Sequence, residues 1–235
     1  MTLLLCVLAF QAQAADYNPI YRGEFGAIVS RKPNALLVES IHNRKAGKAL
    51  DIGMGQGRNT IYLAQQGWDV TGIDPADEGV RIAKAEAARQ GLKIRAEVTT
   101  FEQFDFGENQ WDLIVLTYEP TKAIAPKVVQ ALRLGGLVVT KRVWPTGSFA
   151  DNELLSLFKG LRVLRYEDVW ARPDWGAQNI DERLVRLLAE KPVPLDPGCI
   201  WKAKPVEVGG TVCWDTALLR CRPDGWQFTR EKCGP

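Results

Sequence analysis

The chain has 235 residues, 46% hydrophobic and 25% charged, with 30 Lys and Arg against 28 Asp and Glu for a net charge of +2. That composition is ordinary for a globular protein, and the length supports one sizeable core plus a small appendage. The near-neutral balance, with no run of five basic residues, argues against nucleic acid and against an anionic membrane surface as partners.

The first stretch, MTLLLCVLAFQAQA, is apolar from Leu3 to Phe10 and closes on Ala12-Gln13-Ala14. Small residues at the two positions a signal peptidase reads predict a secretory signal, residues 1–14, cleaved after Ala14. The stretch is too short to span a bilayer, so no transmembrane segment is expected after cleavage. It lacks a Lys or Arg at its start, and a bland apolar N-terminal helix is the competing reading. Residues 15–32 are expected to be irregular. From Pro33 to Asn43 the apolar spacing predicts a helix, with His42 near its end as a surface or packing residue.

Strands and helices then alternate. Strands are predicted at 48–52, 68–74, 93–99, 111–118 and 137–143, and helices at 58–66, 77–91 and 126–134. Gly135-Gly136 reads as the turn between the last helix and the last strand. This order specifies an α/β, doubly wound, mainly parallel sheet with helices on both faces. A helix at 152–160 and strand candidates at 162–171 and 182–192 follow. The second candidate also fits helical spacing through Leu184, Leu187 and Leu188. The three prolines of PVPLDPG, 192–198, mark a linker, which makes 15–191 one domain and 199–235 a separate module.

That module holds Cys199, Cys213, Cys221 and Cys233, while Cys6 would leave with the signal. Four clustered cysteines read as a disulfide-stapled β module with two short strands. Three pairings are open. A zinc site is disfavoured, because the spacings of 14, 8 and 12 contain no C-x-x-C pair. Stapling and the signal together predict export to a periplasmic or extracellular setting; without the signal the chain would be cytoplasmic. Trp201, Trp214 and Trp226 form either the module's own small core or a binding face.

Chemistry concentrates in ALDIGMGQGRNTIYLAQQGWDVTGIDPAD, 49–77. Gly53, Gly55 and Gly57 follow a buried strand and precede a helix, so the backbone can turn sharply and approach a ligand. Asp51 precedes the glycines and suits a cationic amino group. Asp74 ends the next strand, where a carboxylate can accept from both ribose hydroxyls of an adenosine ligand. A dinucleotide fingerprint needs glycine at position 58, which is Arg58. A purely packing role for three alternate glycines with acids at both places is the weaker reading.

The D-x-G-x-G-x-G pattern resembles the first motif of class I S-adenosylmethionine-dependent methyltransferases, over about residues 33–190. The resemblance implies that the glycine loop holds the methionine part of S-adenosyl-L-methionine and that Asp74, with Pro75 after it, holds the ribose. Thr100 and Phe101 would flank the adenine, and Leu116 and Thr117 would end the fourth strand beside the cofactor. The family often has Asp where this chain has Thr100. Arg58-Asn59 and the following Leu-Ala pair are similar to small-molecule methyltransferases of the tellurite-resistance and thiopurine type.

The implied activity is in-line methyl transfer to a small molecule. A soft nucleophile needs alignment and exclusion of water more than a strong base, which fits a chain whose single histidine lies outside the motifs. Tyr118 and Glu119 follow the fourth strand and are the candidate substrate-facing groups. Tyr118 and Trp144 wall the pocket or pack in the core. Lys141 and Arg142 are read as solvated surface residues, with attraction of an anionic substrate as the competing reading. Because S-adenosylmethionine is made in the cytosol, an exported enzyme would meet little of it. That motivates a second reading, an exported nucleoside-binding protein without methyl transfer. The sequence is silent on the methyl acceptor and on oligomeric state.

Overall fold

The computed structural model describes residues 16–24, 29–118, 121–144, 150–174, 180–193, 198–202, 204–222 and 225–233. The signal segment 1–14, Glu119 and most of the proline linker lie outside the described residues. The chain divides into two compact units, Met1–Pro192 and Val193–Pro235.

The first unit is built on a seven-stranded sheet in the order β3-β2-β1-β4-β5-β7-β6. Strands β1 (Lys48–Ile52), β2 (Asp69–Asp74), β3 (Arg95–Val98), β4 (Trp111–Thr117) and β5 (Leu132–Trp144) run parallel. β7 (Glu182–Glu190) is antiparallel to β5 and to β6 (Arg162–Ala171). Side chains along β4 alternate between two buried faces, as a pleat requires. Leu113 and Val115 pack with Ala49, Leu63 and Leu37 on one face. Ile114 and Leu116 pack with Leu50, Ile124 and Val128 on the other. Helix α2 (Ala35–Ile41) and α3 (Arg58–Gln65) thus cover one face, and α5 (Thr121–Ala131) with α6 (Glu153–Leu157) the other.

The structure corrects the sequence reading in several places. Residues 15–32 contain a short helix, α1 (Asn18–Tyr21), which packs on α4 (Asp77–Arg89). Asn18 Oδ1 accepts the N–H of Glu78 at 3.0 Å. The helix predicted at 126–134 starts and ends earlier, with Pro126 inside it. Burial of Ile124 and Ala125 beside Val128 draws the preceding turn into the helix despite the hydrogen bond that proline forfeits. Gly135-Gly136 is no inter-element turn but a bulge within β5. Gly135 sits at φ 76, and the β4–β5 register shifts between Trp111 and Leu113. Residues 182–190 form the strand first read there and not its helical alternative. Leu184, Leu187 and Ala189 are fully buried, and the backbone pairs on both sides, which a helix could not do.

The second unit is all β. A hairpin of β8 (Gly198–Trp201) and β9 (Lys204–Glu207) accompanies a three-stranded antiparallel sheet. Its strands are β10 (Thr211–Trp214), β11 (Ala217–Arg222) and β12 (Gly225–Lys232). The sequence reading recognised two of these five strands. Of the three open pairings, the structure has Cys199–Cys221 and Cys213–Cys233. Trp201 packs edge-on against Trp214 and Trp226, and Trp214 stacks on Phe228. Among the described residues there is no cluster of metal-ligating side chains, and no helix is long and apolar enough to cross a membrane.

Candidate active site at the carboxyl ends of the strands

The strand order reverses between β1 and β4, so the chains leaving these two strands diverge and open a crevice. The glycine loop leaves β1 on one side of that crevice, and Tyr118 leaves β4 on the other.

The loop is held from below by β2. Gly53 and Met54 both donate to the Ile73 carbonyl, at 2.9 and 3.0 Å. Gly53, Gly55 and Gly57 all lie in the left-handed region, at φ 69, 53 and 82, which L side chains rarely adopt. Their roles separate once packing is considered. A Cβ on Gly57 would strike the Cβ of Ala83 on α4, so this glycine serves helix packing as well as the turn. A Cβ on Gly55 would collide with the Tyr21 hydroxyl, which places the aromatic ring of α1 over the loop. The sequence reading had left Tyr21 within a segment expected to be irregular.

Asp51 and Asp74 are both buried, at 0% and 6% exposed. Asp74 braces the loop: Oδ2 accepts the Gly55 N–H at 2.7 Å and Oδ1 the Ala76 N–H at 2.8 Å. Burial pushes its pKa up, and those two N–H groups pull against the shift. An ionised carboxylate has about four acceptor positions, so two remain for a ligand. Asp51 Oδ2 accepts from the Thr60 hydroxyl at 2.7 Å, while its Oδ1 is buried with no hydrogen-bond partner among the described residues. A buried acceptor left in this state fits a cationic amino donor. The donor set therefore suits the methionine and ribose parts of S-adenosylmethionine.

Burial raises the Asp51 carboxyl from its ordinary 3.8 to about 6, with Thr60 and Arg58 pulling it part of the way down. The folded chain then holds this proton more tightly than the unfolded chain. The group's contribution is present below pH 3.8 and is lost as pH rises through about 6. Asp51→Asn is therefore expected to stabilise the ligand-free protein by about 3 kcal/mol at pH 8 and by well under ~1 kcal/mol at pH 4. Urea unfolding at the two pH values checks this.

The remaining predicted residues are placed as follows. Asn59 is 3% exposed, and its Oδ1 accepts the backbone N–H of Asn34, so it anchors the start of α2. Pro75 is exposed between Asp74 and the buried Ala76. Thr100 and Phe101 follow β3, both partly buried, and Phe101 packs on the core. Thr117 is buried at the end of β4.

Arg58, Tyr118 and Lys141 meet at a residue the sequence reading did not name. The Tyr118 hydroxyl donates to Asp174 Oδ1 at 2.8 Å, and the Lys141 ammonium lies 3.2 Å from the same oxygen. Arg58 donates to the Asp174 carbonyl at 2.7 Å and approaches Oδ1 at 3.4 Å. The reading of Lys141 as a solvated residue is overturned: it is 3% exposed. Register explains why, since Lys141 sits opposite Thr117 in the interior of the sheet. A lysine close behind the apolar run Leu137-Val138-Val139 of the same strand was the available signal. Burial pushes the Lys141 pKa down, against the pull of Asp174. For Asp174, burial pushes up but Arg58 and Lys141 outweigh it, so the carboxyl is held below its ordinary value. Burial and Asp174 push the Tyr118 hydroxyl up, so it remains a proton donor. Tyr118 is also held at φ 67, with its N–H on the Lys141 carbonyl at 2.8 Å. The Trp144 side chain lies outside the described residues.

A family model described as a methyltransferase domain matches residues 49–136. A probable S-adenosyl-L-methionine-dependent methyltransferase, TehB of Haemophilus influenzae strain Rd, is 24% identical over 213 residues, covering 80% of this chain and 70% of that protein. A ubiquinone biosynthesis O-methyltransferase of Paramagnetospirillum magneticum is 31% identical over 131 residues, 56% of this chain and 46% of that one. The crystal structure of TehB from Haemophilus influenzae superposes with a TM-score of 0.58 at 22% identity, over 67% of this chain and 62% of that chain.

Proposed function

We propose that this chain, whose residues 49–136 match a methyltransferase domain, is an enzyme that transfers a methyl group from S-adenosylmethionine to a small molecule. The observation that carries the reading is the pair of buried acids around the glycine loop, one bracing the loop and the other holding an unpartnered acceptor. Asp51 would hold the methionine ammonium, Asp74 the ribose hydroxyls, and the N–H groups opening α3 the loop side of the ligand.

S-adenosylmethionine, held by Asp51, Asp74 and the glycine loop, would supply an activated sulfonium methyl for transfer to a nucleophile. The chain's own residues then orient and shield. Tyr21 covers the loop, and Tyr118 and Lys141 stand across the crevice. Asp174 is ionised and already accepts from Tyr118 and Lys141, so the cluster is built for position and charge rather than proton abstraction.

Calorimetric titration of S-adenosylmethionine and S-adenosylhomocysteine into the intact protein tests the reading. Micromolar binding of both is expected; a folded protein that binds neither overturns it.

A further inference from the structure

The backbone of the glycine loop is largely committed. Of the five N–H groups from Gly53 to Gly57, four are already donated within the chain: Gly53 and Met54 to the Ile73 carbonyl, Gly55 to Asp74 and Gly57 to the Met54 carbonyl. Arg58, the nearest cation in sequence, directs its guanidinium to the Lys32 and Asp174 carbonyls, and its charge also acts on Asp51. Asp51 and Asp74, once ionised, can only accept. A methionine ligand carries a carboxylate beside its ammonium, and the loop is short of donors for it.

A side chain from outside the loop reaches it. Tyr21 ends α1, is half-buried, and seats its ring between two glycines. A Cβ on Gly55 would lie 2.4 Å from the Tyr21 hydroxyl. A Cβ on Gly79, in the first turn of α4, would lie 3.0 Å from the ring edge and 3.0 Å from the Gly55 carbonyl oxygen. A side chain at either position would press on the docked ring. The hydroxyl therefore stands against the glycine whose N–H is held by Asp74. Asn18, at the other end of α1, fixes the helix to α4 by accepting the Glu78 N–H. None of the four residues of α1 is fully buried, so apolar packing alone gives little reason for its place there.

We propose that Tyr21 is a cofactor-binding residue: its hydroxyl donates to the methionine carboxylate of S-adenosylmethionine while its ring closes over Gly55. The inference rests on the methyltransferase reading of the loop. A phenol hydroxyl both donates and accepts, and its hydrogen turns about the C–O bond, so an arriving carboxylate draws it by the stronger, charge-assisted bond. Both charges of the ligand's amino acid are then met, the ammonium by Asp51 and the carboxylate by Tyr21 together with the N–H groups opening α3.

The test uses the intact protein, wild type and Tyr21→Phe, titrated calorimetrically with two ligands. One is S-adenosylhomocysteine; the other is its decarboxylated form, which keeps the ammonium and lacks only the carboxylate. The wild type is expected to bind S-adenosylhomocysteine at least ~10-fold more tightly than the decarboxylated form. Tyr21→Phe should lose most of that preference through weaker binding of S-adenosylhomocysteine alone. A purely structural ring would move both ligands together or neither. Asn18→Ala, which frees α1 from α4, should reduce the same preference and keeps the test open if Tyr21→Phe does not fold. Equal affinities in the wild type overturn the proposal and leave the methyltransferase reading standing. So does a Tyr21→Phe variant that keeps the preference or weakens both ligands alike, or, should that variant not fold, an Asn18→Ala variant that keeps the preference. A wild-type protein that binds neither ligand overturns the methyltransferase reading and the Tyr21 contact with it.

Discussion

Asp74→Ala is expected to cost the protein about 2–5 kcal/mol of stability and at least tenfold in cofactor affinity. The two losses have separate causes. In the folded chain the carboxylate accepts the N–H groups of Gly55 and Ala76, both buried. Alanine leaves both donors without a partner, and an unsatisfied buried donor costs about 1–3 kcal/mol. The affinity loss comes from the ribose contact, about 1–3 kcal/mol, and from a glycine loop no longer braced against β2. Asp74→Asn separates these effects, because its one carbonyl oxygen can keep only one of the two acceptor positions. Urea unfolding and calorimetry with S-adenosylhomocysteine, run on both variants, give the two numbers. An alanine variant that lost stability but bound the ligand unchanged would make Asp74 a brace only.

Removing both disulfides is expected to unfold the second unit. Each bridge closes a loop of similar size, its partners 22 and 20 positions apart. A loop of this length contributes about 3 kcal/mol. Little else compensates, since Leu219 is the one buried side chain among the unit's described residues besides Cys199 and Cys221. Trp214 and Phe228 remain 59% and 63% exposed, so the aromatic cluster is a thin substitute for a core. Reduction, or serine at all four cysteines, should release the slow-exchanging amides of β10–β12 and move tryptophan emission to the red. The first unit, which contains none of these cysteines, should retain S-adenosylhomocysteine binding. Persistent amide protection after reduction would show that the tryptophans hold the module unaided. Stable disulfides fit an oxidising compartment.

Much of this molecule was legible in the sequence because the signals are local. The alternation of apolar strands with amphipathic helices sets the parallel sheet, and each signal needs only five to fifteen residues. The glycine loop and both acids fall within one β-α-β unit, so a single stretch, 49–77, carried the candidate cofactor loop. Where local signals were ambiguous, tertiary packing decided. The leucines of 182–190 suit either period, and β7 is a strand because it fills the gap between β5 and β6. α5 runs through Pro126 because Ile124 and Ala125 gain burial there.

The cluster around Asp174 was not legible for the same reason. Arg58 and Asp174 are 116 residues apart, and Tyr118 and Asp174 are 56 apart. No period or spacing links positions that meet only when β5 lies between β4 and the antiparallel β7. Lys141 was misread because charge predicts exposure on average, whereas its place opposite Thr117 is settled by register. The sequence by itself determined the sheet, the glycine loop with its two acids and the presence of a cysteine-stapled module. Only the tertiary structure decided the pairing of those cysteines, the strand identity of β7 and the charge cluster facing the glycine loop. Each of these depends on contacts between distant segments, whose geometry exists only once the core has closed.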